Sequence, residues 1–179
     1  PRAGHSATLM GDLLYIYGGY GGLGYSRRDL DDLYTLNVLT WTWSKVTPKG
    51  SAPEKRSGHQ ACAVEKKIYI FGGANSAVQF QDLYILDTEV EPPVWSRLAS
   101  SLPAPTWNLC ACSVIAIPTW KIFTFGGITG PLTEYDRMGK SINATAILDT
   151  GIGRWQHPKI DGKMPIPRSD CSMAYDAKG

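Results

Sequence analysis

The sequence has little of what marks several common classes of protein. Its 18 basic and 16 acidic residues nearly balance at a net charge of +2, and no long run of one sign occurs. A basic stripe or patch is the electrostatic footprint of a protein that binds nucleic acid or an anionic membrane. No stretch approaches the roughly 18 apolar residues that a membrane span needs. The composition therefore indicates neither a nucleic-acid partner nor a membrane.

Cysteine is also scarce. The four cysteines form no C-x-x-C motif, and no histidine lies at zinc-finger spacing from them. This pattern predicts no metal site and favours small buried thiols in a reducing, cytoplasmic compartment. A secreted chain is the minor alternative, because Asn143-Ala144-Thr145 matches the N-glycosylation pattern. The cysteines are Cys62, Cys110, Cys112 and Cys171.

Catalytic and nucleotide-binding motifs are missing as well. The sequence has no G-x-S-x-G, P-loop or H-E-x-x-H pattern. One literal G-x-G-x-x-G does occur, since Gly19 to Gly24 read GYGGLG after the apolar run LLYIY. A dinucleotide site needs a helix after these glycines within a parallel β-α-β unit, and the sequence predicts neither. We therefore expect no cofactor.

What the sequence does contain is a repeated glycine pair. Gly18-Gly19, Gly72-Gly73 and Gly126-Gly127 each follow an apolar run, in YIYGG, YIFGG and FTFGG. Their spacing is 72 − 18 = 54 and 126 − 72 = 54 residues. A fixed period of this size is typical of solenoids, propellers and repeat arrays. The remaining glycines of GYGGLG belong to the first unit alone, and we expect them to make the following loop pliable.

Other features keep the same period. RAGHSATL begins at Arg2 and RSGHQACA at Arg56, each 16 residues before a glycine pair (18 − 2 and 72 − 56), and RSDCSMAY begins at Arg168. The runs SATLM, LLYIY, DLYTLNV and TWSKV are short, rich in β-branched and aromatic residues, and separated by turn formers. Each unit is therefore predicted to hold four short antiparallel strands, which is the content of one propeller blade.

The whole pattern resembles the kelch repeat. Its marks are an Arg-x-Gly-His segment, a double glycine after an aromatic strand, and a later Tyr and Trp. In the first unit these are Arg2, His5, Gly18, Gly19, Tyr34 and Trp43, and in the second Arg56, His59, Gly72, Gly73, Tyr84 and Trp95. The third unit keeps Gly126, Gly127 and Trp155. In that unit Asn108 stands where Arg is expected and Ala146 where Tyr is expected, and the turn IPTWK is two residues longer.

The resemblance implies an all-β propeller of four-stranded antiparallel blades, of which this chain holds about three. We place the blades at about residues 2–52, 56–104 and 108–164, with the start of another at 168–179. A propeller needs roughly four to eight blades to close its ring. The chain also opens on Pro1-Arg2 without an initiator Met. We therefore expect a fragment of a larger propeller whose remaining blades come from the same chain.

Most of the repeated residues are predicted to be structural. Glycine pairs permit positive φ and close backbone approach where a crowded strand turns sharply. The three tryptophans of the repeat are predicted to pack between blades, because large aromatic side chains dominate such interfaces. His5 and His59 are predicted to be satisfied structural histidines.

The topology also predicts where a partner binds. Because the strands of a blade alternate in direction, the loops that join one blade to the next emerge on the same face as the loops between the second and third strands of each unit. We call the latter the inner loops, and they span residues 20–31, 74–81 and 128–144. Long loops on a rigid scaffold concentrate function, and Tyr and Arg are enriched at binding hot spots. The resemblance implies peptide binding on this face, with arginines in the pocket. The predicted partner-binding residues are Arg2, Tyr25, Arg27, Arg28, Asp29, Arg56, Tyr135, Arg137 and Arg168.

For the repeated arginines a second role stays open, which is pairing with carboxylates or carbonyls between blades.

In function, the resemblance implies a non-catalytic protein-interaction or scaffold module. Its setting would be a larger assembly, such as a cytoskeletal or axonemal complex or a ubiquitin-ligase adaptor. The alternative is a kelch-fold metal enzyme of the copper-oxidase kind, which needs several His, Tyr or carboxylate groups on one face. The sequence has three histidines, His5, His59 and His157.

Overall fold

The computed structural model describes residues 1–116, 119–130 and 139–175. These residues form three successive sheets whose four main strands pair antiparallel, and short additional strands accompany them. None of the helical segments in these ranges is long and apolar enough to cross a membrane. The predicted all-β blade architecture is therefore confirmed.

Blade 1 is built from four of the seven strands of the first unit. The strands are β1 (Arg2–Ala3), β2 (Ser6–Met10), β3 (Leu13–Tyr17), β4 (Tyr20–Gly21), β5 (Arg28–Asp29), β6 (Leu33–Asn37) and β7 (Thr42–Val46). Strands β2, β3, β6 and β7 pair in that order. Their bounds agree with the four predicted runs to within one residue. This agreement arises because turn formers separate short apolar runs of β-forming residues.

Blade 2 repeats this order and adds one strand. Its strands are β8 (Lys49–Gly50), β9 (Gln60–Val64), β10 (Lys67–Phe71), β11 (Asp82–Asp87) and β12 (Val94–Ser101). Strands β9 to β12 pair antiparallel in sequence order, and β8 pairs in parallel with the outer strand β12. The predicted blade limits assign Lys49 and Gly50 to the first unit, whereas their pairing joins them to the second.

Blade 3 has a longer first hairpin. Its unit contains β13 (Cys110–Ala116), β14 (Thr119–Phe125), β15 (Ile128–Thr129), β16 (Lys140–Ser141), β17 (Thr145–Asp149) and β18 (Arg154–Gln156). Strands β13 and β14 have seven residues each, whereas β2, β3, β9 and β10 have five. The extra length is thus four residues of paired strand, and the predicted two-residue extension of the turn is wrong.

Two hydrophobic cores lie between the blades. Strand β10 shows how they form, because Ile68 and Ile70 join the core shared with blade 1, while Tyr69 and Phe71 join the core shared with blade 3. This is the period-2 alternation of a strand that is covered on both faces. The first strands of neighbouring blades also contact each other, which places them on the inner side of the arc.

Candidate functional site

Five of the short strands, β1, β4, β5, β15 and β16, lie beside the loops predicted to bind a partner. Strand β4 pairs with both β1 and β5, so the segment that leads into the first unit lies beside its own inner loop. Isolated bridges give the same arrangement later in the chain, between Ser57 and Ala74 and between Trp107 and Ile128. The predicted convergence of the two loop sets on one face is therefore confirmed.

Backbone hydrogen bonds join each blade to the one before it. The carbonyl of Arg56 accepts the Gly19 N–H at 2.8 Å. Equivalent bonds run from Gly73 N to Thr106 O and from Gly127 N to Arg168 O, each 2.9 Å long. Thr106 therefore occupies the place of the repeated arginine in the third unit. The prediction that Asn108 does so is wrong by two residues, because the longer first hairpin of blade 3 shifts the register.

Asn108 corresponds instead to the glycine of the Arg-x-Gly-His segment. Its φ is 52°, beside 62° at Gly4, 63° at Gly58 and 54° at Asp170. Asn and Asp are the residues that most readily adopt this left-handed conformation after Gly. A ladder of backbone bonds connects the four, from Gly58 N to Gly4 O and Asn108 N to Gly58 O, both 2.8 Å, and from Asp170 N to Asn108 O, 3.0 Å.

Arg56 is fully buried inside blade 2. Its guanidinium donates to the Asp82 carboxylate at 2.6 and 3.1 Å and to the Gly72 carbonyl at 3.0 Å, while Nε donates to the Glu54 carbonyl at 2.9 Å. The guanidinium carbon also lies 3.9 Å from the ring centroid of Phe80. Of the two roles left open for this arginine, the geometry supports the structural one, and the pairing lies within a blade rather than between blades.

Arg2 makes the same contacts closer to the surface. It donates to Asp32 at 2.6 and 3.1 Å and to the Gly18 carbonyl at 2.9 Å. The Arg2 and Asp32 side chains keep 22% and 27% of their exposure. Arg168 is exposed, and its Nε donates to the Ile166 carbonyl at 3.2 Å, two residues back in the chain, as Arg56 does to Glu54. Arg2 and Arg168 therefore remain within reach of a partner.

The inner loop of blade 1 displays three predicted binding residues, Tyr25, Arg27 and Arg28, all of them exposed. Tyr25 stands on a 3₁₀ helix, Gly24–Ser26. The Ser26 hydroxyl donates to the Leu23 carbonyl at 2.6 Å and accepts the Leu23 N–H at 3.2 Å. The strand pair β4–β5 holds the flanks of the loop. These bonds brace the loop, and the pliability expected from its glycines stays a prediction.

Asp29 differs from its neighbours. It is buried, and its carboxylate accepts the Ser76 N–H at 3.0 Å from the inner loop of blade 2. It therefore ties two loops together, and its prediction as a partner contact does not agree with its burial. The predicted residues Tyr135 and Arg137 lie outside the described residues.

The tryptophans pack between blades in a regular way. Trp95 of blade 2 lies 5.3 Å from Tyr17 of blade 1, and Trp155 of blade 3 lies 5.4 Å from Phe71 of blade 2, measured between ring centroids. Each thus packs on the blade before it. Trp43 holds the same place in blade 1, where it is 57% exposed. It lines an open cavity of about 370 Å³ together with Arg2, His5, Ile16 and Tyr34.

The two repeated histidines differ in environment. His59 is buried, its Nε2 is 2.9 Å from the Ser6 hydroxyl, and its ring meets Tyr17 edge-on. Burial, together with the charge of Arg56, lowers the pKa of His59 to about 3, so the ring is neutral. His5 is exposed, and burial of part of its ring and the charge of Arg2 lower its pKa. Across the described ranges, no three His, Cys, Asp or Glu side chains are grouped to hold a metal ion.

The structure also describes the glycosylation motif at Asn143, on which the alternative of a secreted chain depends. The Nδ2 atom of Asn143, to which a glycan would attach, donates to the Pro165 carbonyl at 3.1 Å. This amide is therefore engaged within the fold. Among the cysteines, Cys62 is buried, as predicted, and Cys171 is partly buried.

Comparison with known proteins agrees with this geometry. The sequence model described as the KLHDC2/KLHL20/DRC7 Kelch-repeats domain matches residues 1–178. The chain belongs to the kelch-repeat family. Kelch domains generally bind protein partners and are for the most part non-catalytic interaction modules.

Three similar proteins differ widely in what their names describe. The flagellar outer arm dynein alpha chain of Chlamydomonas reinhardtii is 28% identical over 196 residues, covering 99% of this chain and 4% of the dynein chain. The N-(sulfonatooxy)prop-2-enimidothioate sulfolyase of Thlaspi arvense is 39% identical over 172 residues, covering 95% and 46%. Kelch domain-containing protein 2 of Homo sapiens is 28% identical over 200 residues, covering 97% and 48%. This kelch chain spans less than half the length of each.

Sequence reasoning missed the acidic partners of the kelch arginines. Asp32 and Asp82 each begin an Asp-Leu-Tyr run that was recognised as a strand start. Two features of the sequence could have revealed this pairing. The aspartate recurs at the same position in the first two units, and the third unit lacks both the aspartate and the arginine. There Ala144 takes the place of Asp32, because its carbonyl accepts the N–H of the first glycine of the pair in the same way, and Thr106 takes the place of the arginine.

Proposed function

We propose that this kelch chain is a non-catalytic module that binds a protein partner through its loop-bearing face. The observation that carries the proposal is the exposure of Tyr25, Arg27 and Arg28 on a braced loop. The Asp29–Ser76 bond fixes this loop against blade 2. A rigid display lowers the entropic cost of binding, and Tyr and Arg are enriched at binding hot spots.

We further propose that the open sheet face of blade 1 packs against another kelch blade, supplied by another part of the same chain. The contacts of Trp95 with Tyr17 and of Trp155 with Phe71 support this arrangement. Trp43 belongs to the same series and lines a cavity of about 370 Å³ on that face. An aromatic side chain from a preceding blade would cover it as Tyr17 covers Trp95.

The proposed setting is a cytoplasmic assembly of the cytoskeletal or ciliary kind. The similarity to a chain named for the flagellar outer arm supports it. Arg2, Arg168, Tyr135 and Arg137 remain proposed contributors to the partner surface. Arg56 and Asp29 are left out of that surface because both are buried.

Site-specific photo-crosslinking tests the binding face. A photoreactive phenylalanine derivative replaces Tyr25 in one variant of the full-length protein and Trp41 in another. Both positions are highly exposed, and Trp41 lies in the turn between β6 and β7, at the opposite end of the strands. We expect a protein adduct from position 25 that is lost when Arg27 and Arg28 become Ala, with thermal stability unchanged. Adducts from position 41 alone would overturn the proposal.

The enzymatic alternative draws support from the relative named as a sulfolyase. Metal analysis of the purified full-length protein, together with an oxidase assay, separates the two functions. Stoichiometric copper or iron with turnover would replace the interaction module by a metal enzyme.

A further inference from the structure

A groove opens on the loop-bearing face of blade 2, and none of its lining residues belongs to the loop that carries Tyr25. Its volume is about 640 Å³, within the roughly 300–1,000 Å³ typical of ligand sites. We call it the blade 2 groove. Its walls include Glu54, Gln79, Gln81, Arg97, Ala99 and Ser100.

A β-bulge in the outer strand shapes this groove. Leu83 of β11 pairs with Leu98 of β12, but the preceding residue, Asp82, pairs with Ser101. Ala99 and Ser100 therefore fall between two ladder pairs and line the groove. Bulges of this kind often occur beside functional sites, because they turn backbone and side chains away from the sheet.

The equivalent strands of the other blades are regular. The five residues of β7 pair one by one with β6, and the three residues of β18 pair one by one with β17. Strand β12 has eight residues, and its length beyond the regular pairing supplies the bulge. The groove is thus a local addition to the kelch repeat in blade 2 and not a consequence of the repeat itself.

The charges around the groove balance. Glu54 and Arg97 are exposed at its rim, and the Arg97 guanidinium carbon lies 5.9 Å from the Tyr84 ring centroid. Asp82 forms part of the floor, and the buried Arg56 neutralises it. Two carboxylates and two guanidiniums give no net field to attract a phosphate or a polyanion. The ligand that fits is polar and close to neutral.

The remaining polar groups of the groove are donors and acceptors of the amide and hydroxyl kind. Gln81 is exposed, and Gln79 donates its Nε2 to the Gly130 carbonyl, which leaves its Oε1 as an acceptor. Ser100 adds a hydroxyl beside the bulged backbone. An extended peptide presents alternating N–H and C=O groups and is recognised through such main-chain bonds at strand edges.

We propose that the blade 2 groove binds an extended, uncharged segment of a protein partner through hydrogen bonds to the peptide main chain. The proposal deepens the proposed function and rests on it, since the groove shares the face assigned to the partner. It adds a second contact point, which recognises the backbone of the partner.

Selection from a phage-displayed library of random short peptides tests this inference. The intact chain serves as the target, and selected peptides are resynthesised with a fluorophore for anisotropy titration. We expect Gln81→Trp, which fills the groove, and Arg97→Glu each to weaken binding about tenfold or more. N-methylation of one central peptide amide should weaken binding by a similar factor, because it removes a main-chain donor. Both protein variants are checked for an unchanged thermal midpoint.

The triple variant with Ala at Tyr25, Arg27 and Arg28 separates this inference from the proposed function. Binding of the selected peptides should stay within about twofold in that variant. If the triple variant loses the peptides and the groove variants keep them, the groove is not the site and the loop proposal stands. Failure to select any peptide, or full competition by an oligosaccharide such as maltotriose, would overturn peptide recognition by the groove.

Discussion

The guanidinium of Arg56 and the carboxylate of Asp82 form a two-point ion pair inside blade 2, with N···O distances of 2.6 and 3.1 Å. The arginine has no solvent exposure, and the aspartate side chain keeps 13%. In blade 3 both partners are replaced, by Thr106 and Ala144. Joint replacement is the expected outcome, because a buried charge that loses its partner is strongly destabilising whereas loss of the whole pair is not.

A double-mutant cycle should reveal this coupling. Arg56→Ala leaves the Asp82 carboxylate uncompensated, and we expect the free energy of unfolding to fall by about 3–5 kcal/mol. The pair Arg56→Thr and Asp82→Ala copies blade 3. It should cost at least about 1 kcal/mol less than the two single changes added together. Urea denaturation measures all variants.

The exposed pair of blade 1 is the matched control for this cycle. Arg2→Ala removes the same contacts from Asp32, but both side chains are partly solvated. We expect a loss below about 1 kcal/mol. Equal losses at Arg2 and Arg56, or strict additivity in the cycle, would show that burial does not govern this ion pair.

Trp95 and Trp43 occupy equivalent positions and should differ in their contribution to stability. Trp95→Ala removes a buried ring from the core between blades 1 and 2, at an expected loss of about 3–5 kcal/mol. Trp43→Ala in this chain should cost less than about 1 kcal/mol, because the ring is largely exposed.

The same two substitutions in the full-length protein test the proposed neighbour of blade 1. A blade packed on Trp43 should raise the loss at that position toward the value for Trp95. A small loss at Trp43 in both contexts would contradict the proposed packing.

Acid should destabilise the junction between blades 1 and 2 through His59. Its pKa is lowered to about 3 in the folded chain, against an ordinary value of 6.5. The unfolded chain therefore binds a proton that the folded chain does not, and the stabilisation present above pH 6.5 declines as the pH falls toward 3. The free energy of unfolding should fall by up to about 1.4 kcal/mol per pH unit in this window.

His59→Leu is the matched variant for the acid prediction, because Leu109 holds the equivalent place beside the glycine pair of blade 3. Denaturation curves between pH 7 and 5 should be flatter for this variant, apart from the smaller contribution of His5. An unchanged slope would assign the acid sensitivity to other groups.

Substitution of Gly72 should cost more than substitution of Gly11. Both have positive φ, at 67° and 56°. A Cβ on Gly72 would lie 2.5 Å from the Thr106 carbonyl oxygen, whereas a Cβ on Gly11 meets none of the described atoms within 4 Å. Gly11→Ala should cost about 1–2 kcal/mol from conformation alone, and Gly72→Ala about 1–3 kcal/mol more. Equal losses in thermal unfolding would show that the backbone approach to blade 3 relaxes freely.

Strand positions could be predicted closely because local pattern decides them. The runs SATLM and LLYIY become β2 and β3 without a shift, since turn residues bound short runs of β-forming side chains. The register of the third unit could not be predicted in the same way. A single sequence does not distinguish the four additional paired residues of its first hairpin from a longer loop. The sequence therefore places Asn108 at the arginine position, which Thr106 occupies in the structure.

The candidate binding residues were harder to predict, because exposure depends on neighbours far away in sequence. Arg2 and Arg56 share one motif and one set of partners, yet only Arg56 is fully buried, with Phe80 against its guanidinium. Asp29 adjoins exposed arginines in sequence but reaches an amide of the next blade. The blade 2 groove depends on a bulge between Leu98 and Ser101, for which the sequence carries no local signal.

The backbone ladder through Gly4, Gly58, Asn108 and Asp170 has a consequence for how such a chain can change. Every step uses the same donor and acceptor in the same direction, and side-chain chemistry enters only through tolerance of a left-handed residue. The ladder is therefore indifferent to which blade precedes which. Duplication, loss or circular permutation of whole units preserves the ladder, so the number of blades can change while these backbone bonds between neighbouring blades persist.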